Sequence, residues 1–298
     1  GYMDKSIITR DVYGELLIPL VSDLPFAQNV ELEIGGRHSN YSVTDETWTY
    51  GPPAGVNGNW SEESPAHRPP GLRGAAMTFD QANGEIVLFG GSDATYLDET
   101  WVWDGDDWTQ KQPAHSPPAR ANAGMAFDAA NGEVVMFGGA SSGLVRRNDT
   151  WVWDGTDWTQ KSPATVPAGR SEASMAFDPA SGRVVMFGGF DNGDMDDTWV
   201  WNGTDWTQKS PTTVPEPRSA ASMAFDPANG ELLMFGGTGS NQFMSDTWAW
   251  NGTNWTRKSP ATEPPGRLSS SMAFSPATGT TILFGGYSFG SPQNDTWS

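Results

Sequence analysis

The sequence predicts an all-β fold, a β-propeller of six blades with four antiparallel strands each, and three observations predict it. A Met-x-Phe-Asp/Ser motif recurs at Met77, Met125, Met175, Met223 and Met272. A Gly-Gly pair closes an apolar run at Gly90, Gly138, Gly188, Gly236 and Gly285. A Thr-Trp pair recurs at Trp101, Trp151, Trp199, Trp248 and Trp297, with a further Trp seven residues on at Trp108, Trp158, Trp206 and Trp255. Successive repeat methionines stand 48, 50, 48 and 49 residues apart. A period near 50 with four strand-like segments per unit belongs to propeller blades.

One copy shows why each segment reads as a strand. Met175-Ala-Phe-Asp is short and runs into the turn signal Pro179-Ala-Ser-Gly182. Val184-Val-Met-Phe187 is continuously apolar, as a strand buried on both faces between neighbouring blades would be. Thr198-Trp-Val-Trp201 alternates, so Trp199 and Trp201 share a face. Asn202-Gly203 then predicts a tight hairpin with positive φ angles. Asp205 to Lys209 is polar apart from Trp206, which suits an outer strand whose charges discourage edge pairing. No segment has helical periodicity.

The ends set the expected blade number. The last copy stops at Thr296-Trp297-Ser298 and lacks a fourth strand. Near the beginning, Gly35-Gly36, Thr47-Trp48 and Trp60 mark the second half of a blade, and Tyr13 to Leu20 and Asn29 to Ile34 are candidates for its first two strands. A diverged first blade is therefore expected over about 13–63, and blades two to six over about 68–298. Residues 5–10, which contain Ser6-Ile-Ile-Thr9, are expected to supply the missing outer strand and close the ring, which makes 1–298 one domain.

These motifs resemble the kelch repeat, whose marks are a Gly-Gly doublet after a hydrophobic strand and then an aromatic strand with a spaced Trp. The resemblance covers about residues 68–298 and implies a kelch β-propeller. A second resemblance lies over residues 8–42, where Asp11-Val-Tyr-Gly-Glu-Leu, Pro19 to Pro25 and Arg37 to Ser42 are similar to a strand pair of a TonB-dependent outer-membrane receptor. Thirty-odd residues cannot close a barrel. The segment is then a strand pair recruited into the first blade, a fusion of unrelated coding segments, or an artefact of sequence assembly.

Composition excludes several functions. The 298 residues hold 17 Lys+Arg against 36 Asp+Glu, a net charge of −19, with three His and no Cys. Such a balance opposes binding to nucleic acid, whose phosphates demand Lys and Arg, and to an anionic membrane surface. No apolar run is long enough for a membrane-spanning helix, and no signal peptide is visible. The absence of Cys excludes a disulfide framework, a thiolate metal site and a cysteine nucleophile. No cofactor is expected. A monomer is expected, in a bacterial extracellular or periplasmic setting.

Antiparallel connectivity separates two sets of loops. The turns between strands one and two, and between three and four, are nearly uniform among the copies and read as turn chemistry. The loops between strands two and three vary: Ser92 to Asp98, Ala140 to Asn148, Phe190 to Asp196, Thr238 to Ser245 and Tyr287 to Asn294. Variable loops on a rigid scaffold are where binding residues collect.

Candidate site residues follow from that division. Arg120, Arg170, Arg218 and Arg267 each stand five residues before the repeat Met, with Arg73 one position out of register. They enter the inner strands from the variable face, so one reading is an arginine ring that binds a carboxylate or acidic glycan. The plainer reading is that each ties its own inter-blade loop through backbone carbonyls. Two positions after each arginine come Asn122, Glu172, Ala220 and Ser269, of which only Glu172 is charged. The kelch resemblance implies ligand contact near this position. Glu172 is also the one candidate catalytic group, as an acid/base pair with Glu216 or Glu263, or else as an ion-pair partner of the arginines. Arg146 and Arg147 form a basic doublet in a variable loop. Asp191, Asp194 and Asp196, with Asp197, are candidate calcium ligands or a plain solvated loop. Tyr96, Phe243, Tyr287 and Phe289 are aromatic candidates for stacking on a sugar or filling a partner's pocket. His38, His67 and His115 have no partner pattern.

The function expected from this sequence is a binding module that presents variable loops to a protein or glycan. The alternative, from the kelch resemblance, is a carbohydrate-active enzyme of the sialic-acid mutarotase type. A galactose-oxidase-type centre is excluded, since its copper site needs a Cys. A cavity that holds Glu172 with two arginines and an aromatic would favour the enzyme. A mouth without them favours protein binding.

Overall fold

The computed structural model describes residues 15–16, 31–33, 47–51, 59–240, 242–275 and 278–298. Sheet 1 comprises Glu15–Leu16, Glu31–Glu33, Thr47–Gly51 and Asn59–Glu63. Sheet 2 comprises Ala76–Asp80, Glu85–Phe89, Thr100–Trp103 and Trp108–Lys111. Sheet 3 comprises Gly124–Asp128, Glu133–Phe137, Thr150–Trp153 and Trp158–Lys161. Sheet 4 comprises Ser174–Asp178, Arg183–Phe187, Thr198–Trp201 and Trp206–Lys209. Sheet 5 comprises Ser222–Asp226, Glu231–Phe235, Thr247–Trp250 and Trp255–Lys258. Sheet 6 comprises Ser271–Ser275, Thr280–Phe284 and Thr296–Trp297.

Every sheet is an antiparallel meander with its strands in chain order from the inside out, and together they form a β-propeller. Inner strands stand side by side in succession from Ala76–Asp80 through Gly124–Asp128, Ser174–Asp178 and Ser222–Asp226 to Ser271–Ser275. Glu15–Leu16 lies beside the last of these. The expectation of six four-stranded blades is corrected: five four-stranded sheets are present among the described residues, and sheet 6 carries three strands. Thr296–Trp297 has no further strand beside it among the described residues, and the expected closing strand at 5–10 lies outside them.

The second strand of each blade does what its continuous apolarity predicts. Val184, Val185 and Met186 are fully buried. Val184 and Met186 pack with Trp199, Trp201 and Trp206 of sheet 4 and with Val135, Phe137 and Val152 of sheet 3. Val185 and Phe187 turn the other way, toward Leu232, Met234 and Trp250 of sheet 5. Two-residue alternation thus divides one strand between two interfaces, and each aliphatic or aromatic side chain so buried contributes about 1.5–3 kcal/mol.

Tryptophans join the blades with direction as well as area. The outer Trp158, Trp206 and Trp255 stand edge-on to Phe89, Phe137 and Phe187 of the preceding sheet at 5.2, 5.3 and 5.2 Å between centroids. Their indole N–H groups donate, at 2.9 Å, to the hydroxyls of Thr100, Thr150 and Thr198, also in the preceding sheet. Thr100, Thr150 and Thr198 are therefore the polar receptors for the next blade's outer Trp. A buried indole N–H left without such a partner is costly.

The uniform turns are held by side chains. Asp128 is buried, and its carboxylate accepts from the Ala130 N–H at 3.1 Å and from Asn131 Nδ2 at 2.8 Å. Asp80, Asp178 and Asp226 repeat the arrangement. The expected two-residue hairpin at Asn202-Gly203 is corrected. Trp201 pairs with Trp206, so four residues form the loop, and only Gly203 has positive φ, at 93°. Asn202 serves as an Asx cap, its Oδ1 accepting from the N–H groups of Thr204 and Asp205.

At the start of the inner strands the backbone repeats an unusual conformation. Gly74, Asn122, Glu172, Ala220 and Ser269 all have positive φ, between 53° and 61°. A non-glycine residue there costs on the order of 1–3 kcal/mol. The conformation lets each residue bond to the one before it in the ring. Asn122 N–H donates to Gly74 O, Glu172 N–H to Asn122 O, Ala220 N–H to Glu172 O and Ser269 N–H to Ala220 O, at 2.7–2.9 Å. This belt of hydrogen bonds encircles the axis on its described side. We expect Ala220→Gly to raise stability by about 0.5–1 kcal/mol through relief of strain, and Gly74→Ala to lower it, because a side chain at φ 61° is strained. Urea unfolding of the two variants checks both signs.

Candidate functional site

The four in-register arginines lie inside the fold. Arg120, Arg170, Arg218 and Arg267 are 0–1% exposed. Arg120 Nη1 and Nη2 donate to Asp149 Oδ1 and Oδ2 at 2.7 and 2.8 Å, Nη1 also donates to Gly138 O at 2.8 Å, and Nε donates to Pro118 O at 2.9 Å. Arg170, Arg218 and Arg267 do the same with Asp197, Asp246 and Asp295, and with the carbonyls of Gly188, Gly236 and Gly285. The arginine ring at the channel mouth is thereby corrected. These guanidinium groups have spent their donors on the scaffold, and the carbonyl-tying role is what the geometry displays.

The arginine backbone works on the other side of the joint. Arg120 N–H donates to Leu97 O of the preceding blade, and the preceding blade's Gly91 N–H donates to Arg120 O at 2.8 Å. Gly90 must lack a side chain because a Cβ would stand 2.4 Å from that same Arg120 carbonyl oxygen. The Gly-Gly doublet and the arginine are two halves of one inter-blade joint. Sequence reasoning missed the acidic halves. Asp149, Asp197, Asp246 and Asp295 each precede a Thr-Trp pair, and each also accepts from the indole N–H of that Trp. The recurring Asp-Thr-Trp carried the signal.

Electrostatics follow from this geometry. Burial would raise the carboxyls of Asp149, Asp197 and Asp246, but the arginine hydrogen bonds and charge outweigh it and hold them below the ordinary range. Arg267 holds Asp295 down to about 2, against some opposing desolvation. A carboxyl depressed in the fold contributes stability above its unfolded pKa, and that stability is lost as pH falls through the folded value. We expect the urea midpoint to be insensitive to these groups at about pH 5–7 and to fall as pH drops from 3.8 toward 2. Removing one partner leaves a buried charge, so Arg170→Met is expected to cost about 3–5 kcal/mol. The double variant Arg170→Met with Asp197→Asn is expected to cost less than the sum of the singles. Arg170→Lys does not restore the joint, because the bidentate fork is lost.

The variable loops are themselves small hairpins. Ala140–Ser141 pairs with Val145–Arg146, Thr238–Gly239 with Gln242–Phe243, and Tyr287–Ser288 with Ser291–Pro292. Single bridges do the same at Ser92 with Tyr96 and at Phe190 with Asp194. Phe243 lies 6.1 Å from Tyr287 and 6.0 Å from Phe289, centroid to centroid. Phe289 is 81% exposed at its hairpin tip, with φ 46°. Tyr96 is half-buried in its own loop, away from this trio in the chain's ring order.

The remaining candidates separate. Arg146 lies over the Phe190 ring of the neighbouring blade, 5.6 Å from its centroid, so the hairpins of sheets 3 and 4 touch. The Arg147 carbonyl accepts from Arg170 N–H, which puts its backbone in a joint. The calcium reading of Asp191, Asp194 and Asp196 is corrected: no three potential ligands converge on a metal among the described residues, and Asp197 is held by Arg170. Glu216 and Glu263 are exposed and do not line the cavity described below, so the acid/base pair with Glu172 is corrected too. His67 and His115 do have partners. Their ring Nδ1 atoms sit 2.8 and 2.7 Å from Asp107 and Asp157 in the next outer turn, and hold those carboxyls below the ordinary range. His38 lies outside the described residues.

A cavity of about 300 Å³ opens on the axis where the inner strands begin. Its mouth is the belt: Gly74, Asn122, Glu172, Ala220 and Ser269. Its deeper wall includes Met77, Met125, Met175 and Met223. Asn122 Nδ2 donates to Glu172 Oε1 at 3.4 Å. No arginine and no aromatic ring lines it on the described side.

A ring of antiparallel meanders with uniform turns on one face and differing hairpins around an axial cavity on the other defines a repeat-propeller scaffold. The family model described as the KLHDC2/KLHL20/DRC7 Kelch-repeats domain matches residues 27–212, and the chain belongs to that family. No curated protein matches the chain.

Proposed function

We propose that the chain is a binding module that engages a protein partner across its variable face. The observation that carries this reading is the contrast between faces. One set of turns is nearly identical from blade to blade, while the other presents hairpins of different sequence, where an exposed Phe289 is backed by the half-buried rings of Phe243 and Tyr287. An exposed aromatic tip supported by two half-buried rings suits an anchor for a partner's pocket. The fold alone is consistent with protein interaction. The enzyme alternative and an acidic-glycan site lose their support, since the arginines they needed are buried in the joints.

The six-blade ring belongs to the same proposal. Glu15–Leu16 beside Ser271–Ser275 supports sheet 1 as a blade between sheets 6 and 2. Residues 5–10 are proposed as the fourth strand of sheet 6, and 1–298 as one domain. Deletion of residues 1–10 is expected to lower the melting temperature, and an unchanged temperature overturns the closing strand.

Peptides selected from a displayed random library against the full chain test the binding reading. Phe289→Ser, at a fully solvated tip, is expected to weaken selected binders by about tenfold or more. Thr204→Lys on the opposite face is expected to leave them unchanged. Binders that respond to Thr204→Lys and ignore the hairpin variant overturn the proposal.

A further inference from the structure

We infer that the axial cavity receives the N-terminal residue of a partner peptide, its ammonium group at Glu172 and an apolar first side chain among the methionines. The inference rests on the binding-module reading and names the chemistry of the partner at its centre.

The argument starts from an unbalanced charge. Glu172 is the only charged residue in the cavity lining among the described residues. Its one side-chain hydrogen bond among the described residues is the long 3.4 Å contact from Asn122. A carboxylate accepts about four hydrogen bonds, so most of its capacity faces the cavity. The nearest arginine in sequence, Arg170, is committed to Asp197 and cannot neutralise it. The residues at the equivalent positions are Gly74, Asn122, Ala220 and Ser269, so four of the five mouth positions are small or neutral and leave Glu172 accessible from the axis.

Polarity then changes with depth. Glu172 stands at the start of its inner strand and Met175 three residues farther in, beside Met77, Met125 and Met223. Methionine is apolar and adapts to irregular shapes. An inserted lysine would carry its ammonium past the carboxylate and into the thioethers, which costs desolvation without a partner. An anion is repelled at the mouth. A peptide N-terminus fits the gradient, because its ammonium and its side chain branch from one carbon. The ammonium stays at the rim while an aliphatic side chain descends into a space of about 300 Å³. The net charge of −19 favours approach of such a cationic end.

Fluorescence polarisation on the full chain tests this. The probes are the pentapeptide Leu-Gly-Ser-Gly-Lys labelled at its C-terminal lysine, its N-acetylated form, and a free-amine form with Asp first. The free-amine Leu probe is expected to bind at least about tenfold tighter than the acetylated and Asp-first probes. Glu172→Gln is expected to erase the preference for the free amine with an unchanged melting temperature. Asn122→Asp, which places a second carboxylate at the mouth, is expected to strengthen it. Equal binding of free and acetylated probes, no binding of any of the three, or a preference that survives Glu172→Gln overturns the inference. Phe289→Ser in the library selection reads the binding-module proposal separately, so the two can fail independently.

Discussion

The arginine joint is the interaction on which the rest of the ring depends. Four arginines each belong to two blades at once, through backbone groups on one side and a guanidinium on the other. The alternative for a linker that crosses from an outer strand to the next inner strand is to bury unpaired carbonyls and N–H groups. The joint removes that cost by satisfying the Gly-Gly carbonyl, the glycine N–H and the arginine backbone together. It also explains why the doublet is glycine: the neighbouring carbonyl occupies the place of a Cβ, and both glycines take positive φ. A buried ion pair often adds little net stability. Its worth here is geometric, because a bidentate fork accepts one arrangement of linker and loop and excludes slippage.

That constraint shapes the face above it. With the arginine fixed, the chain two residues later turns through positive φ to reach the hydrogen-bond belt. The side chain at that position then projects to the axis whatever its chemistry. Gly74, Asn122, Glu172, Ala220 and Ser269 share a backbone and differ only in what they offer the cavity. The same logic holds for the hairpins, whose bases bridge the linker at Ala121, Ser171, Ser219 and Leu268 while their tips vary. The repeat holds the backbone constant and leaves side chains at the mouth and at the tips free to differ.

How much of this was legible depended on the length scale of the signal. Strands two and three of sheets 2 to 5 were readable, because segments such as Val184 to Phe187 and Thr198 to Trp201 carry burial and alternation over four consecutive residues. The two-residue ribbons at Ala140–Ser141 and Thr238–Gly239 were not, since a pair of residues has no periodicity to read. The Asn202 turn was misread because an Asn-Gly dipeptide serves both a two-residue hairpin and an Asx-capped four-residue loop, and the register of Trp201 with Trp206 decides between them. Among site residues, the kelch resemblance singled out the position of Glu172 and Asn122, and both line the axial cavity. The plainer reading of Arg120, Arg170, Arg218 and Arg267 as ties to backbone carbonyls matches the geometry, but their aspartate partners were missed because they lie 27–29 residues away in the loop after strand two.

Charge completes the division between scaffold and face. The chain carries more than twice as many acidic as basic residues, yet four of its arginines are withdrawn into the joints with one aspartate each. Each pair is neutral, so the joints leave the net charge of −19 to be carried by the other groups. Arg146 is turned over Phe190. The described wall of the axial cavity is left with one carboxylate and no cation, in a molecule whose summed field is negative. A field of that sign repels other acidic surfaces and draws positively charged groups toward the mouth before any contact forms. The aromatic hairpin tips supply the apolar contact that such steering lacks. The same arginine joints that hold the blades together therefore set the sign of the site, by removing from it the cations that the repeat would otherwise have supplied.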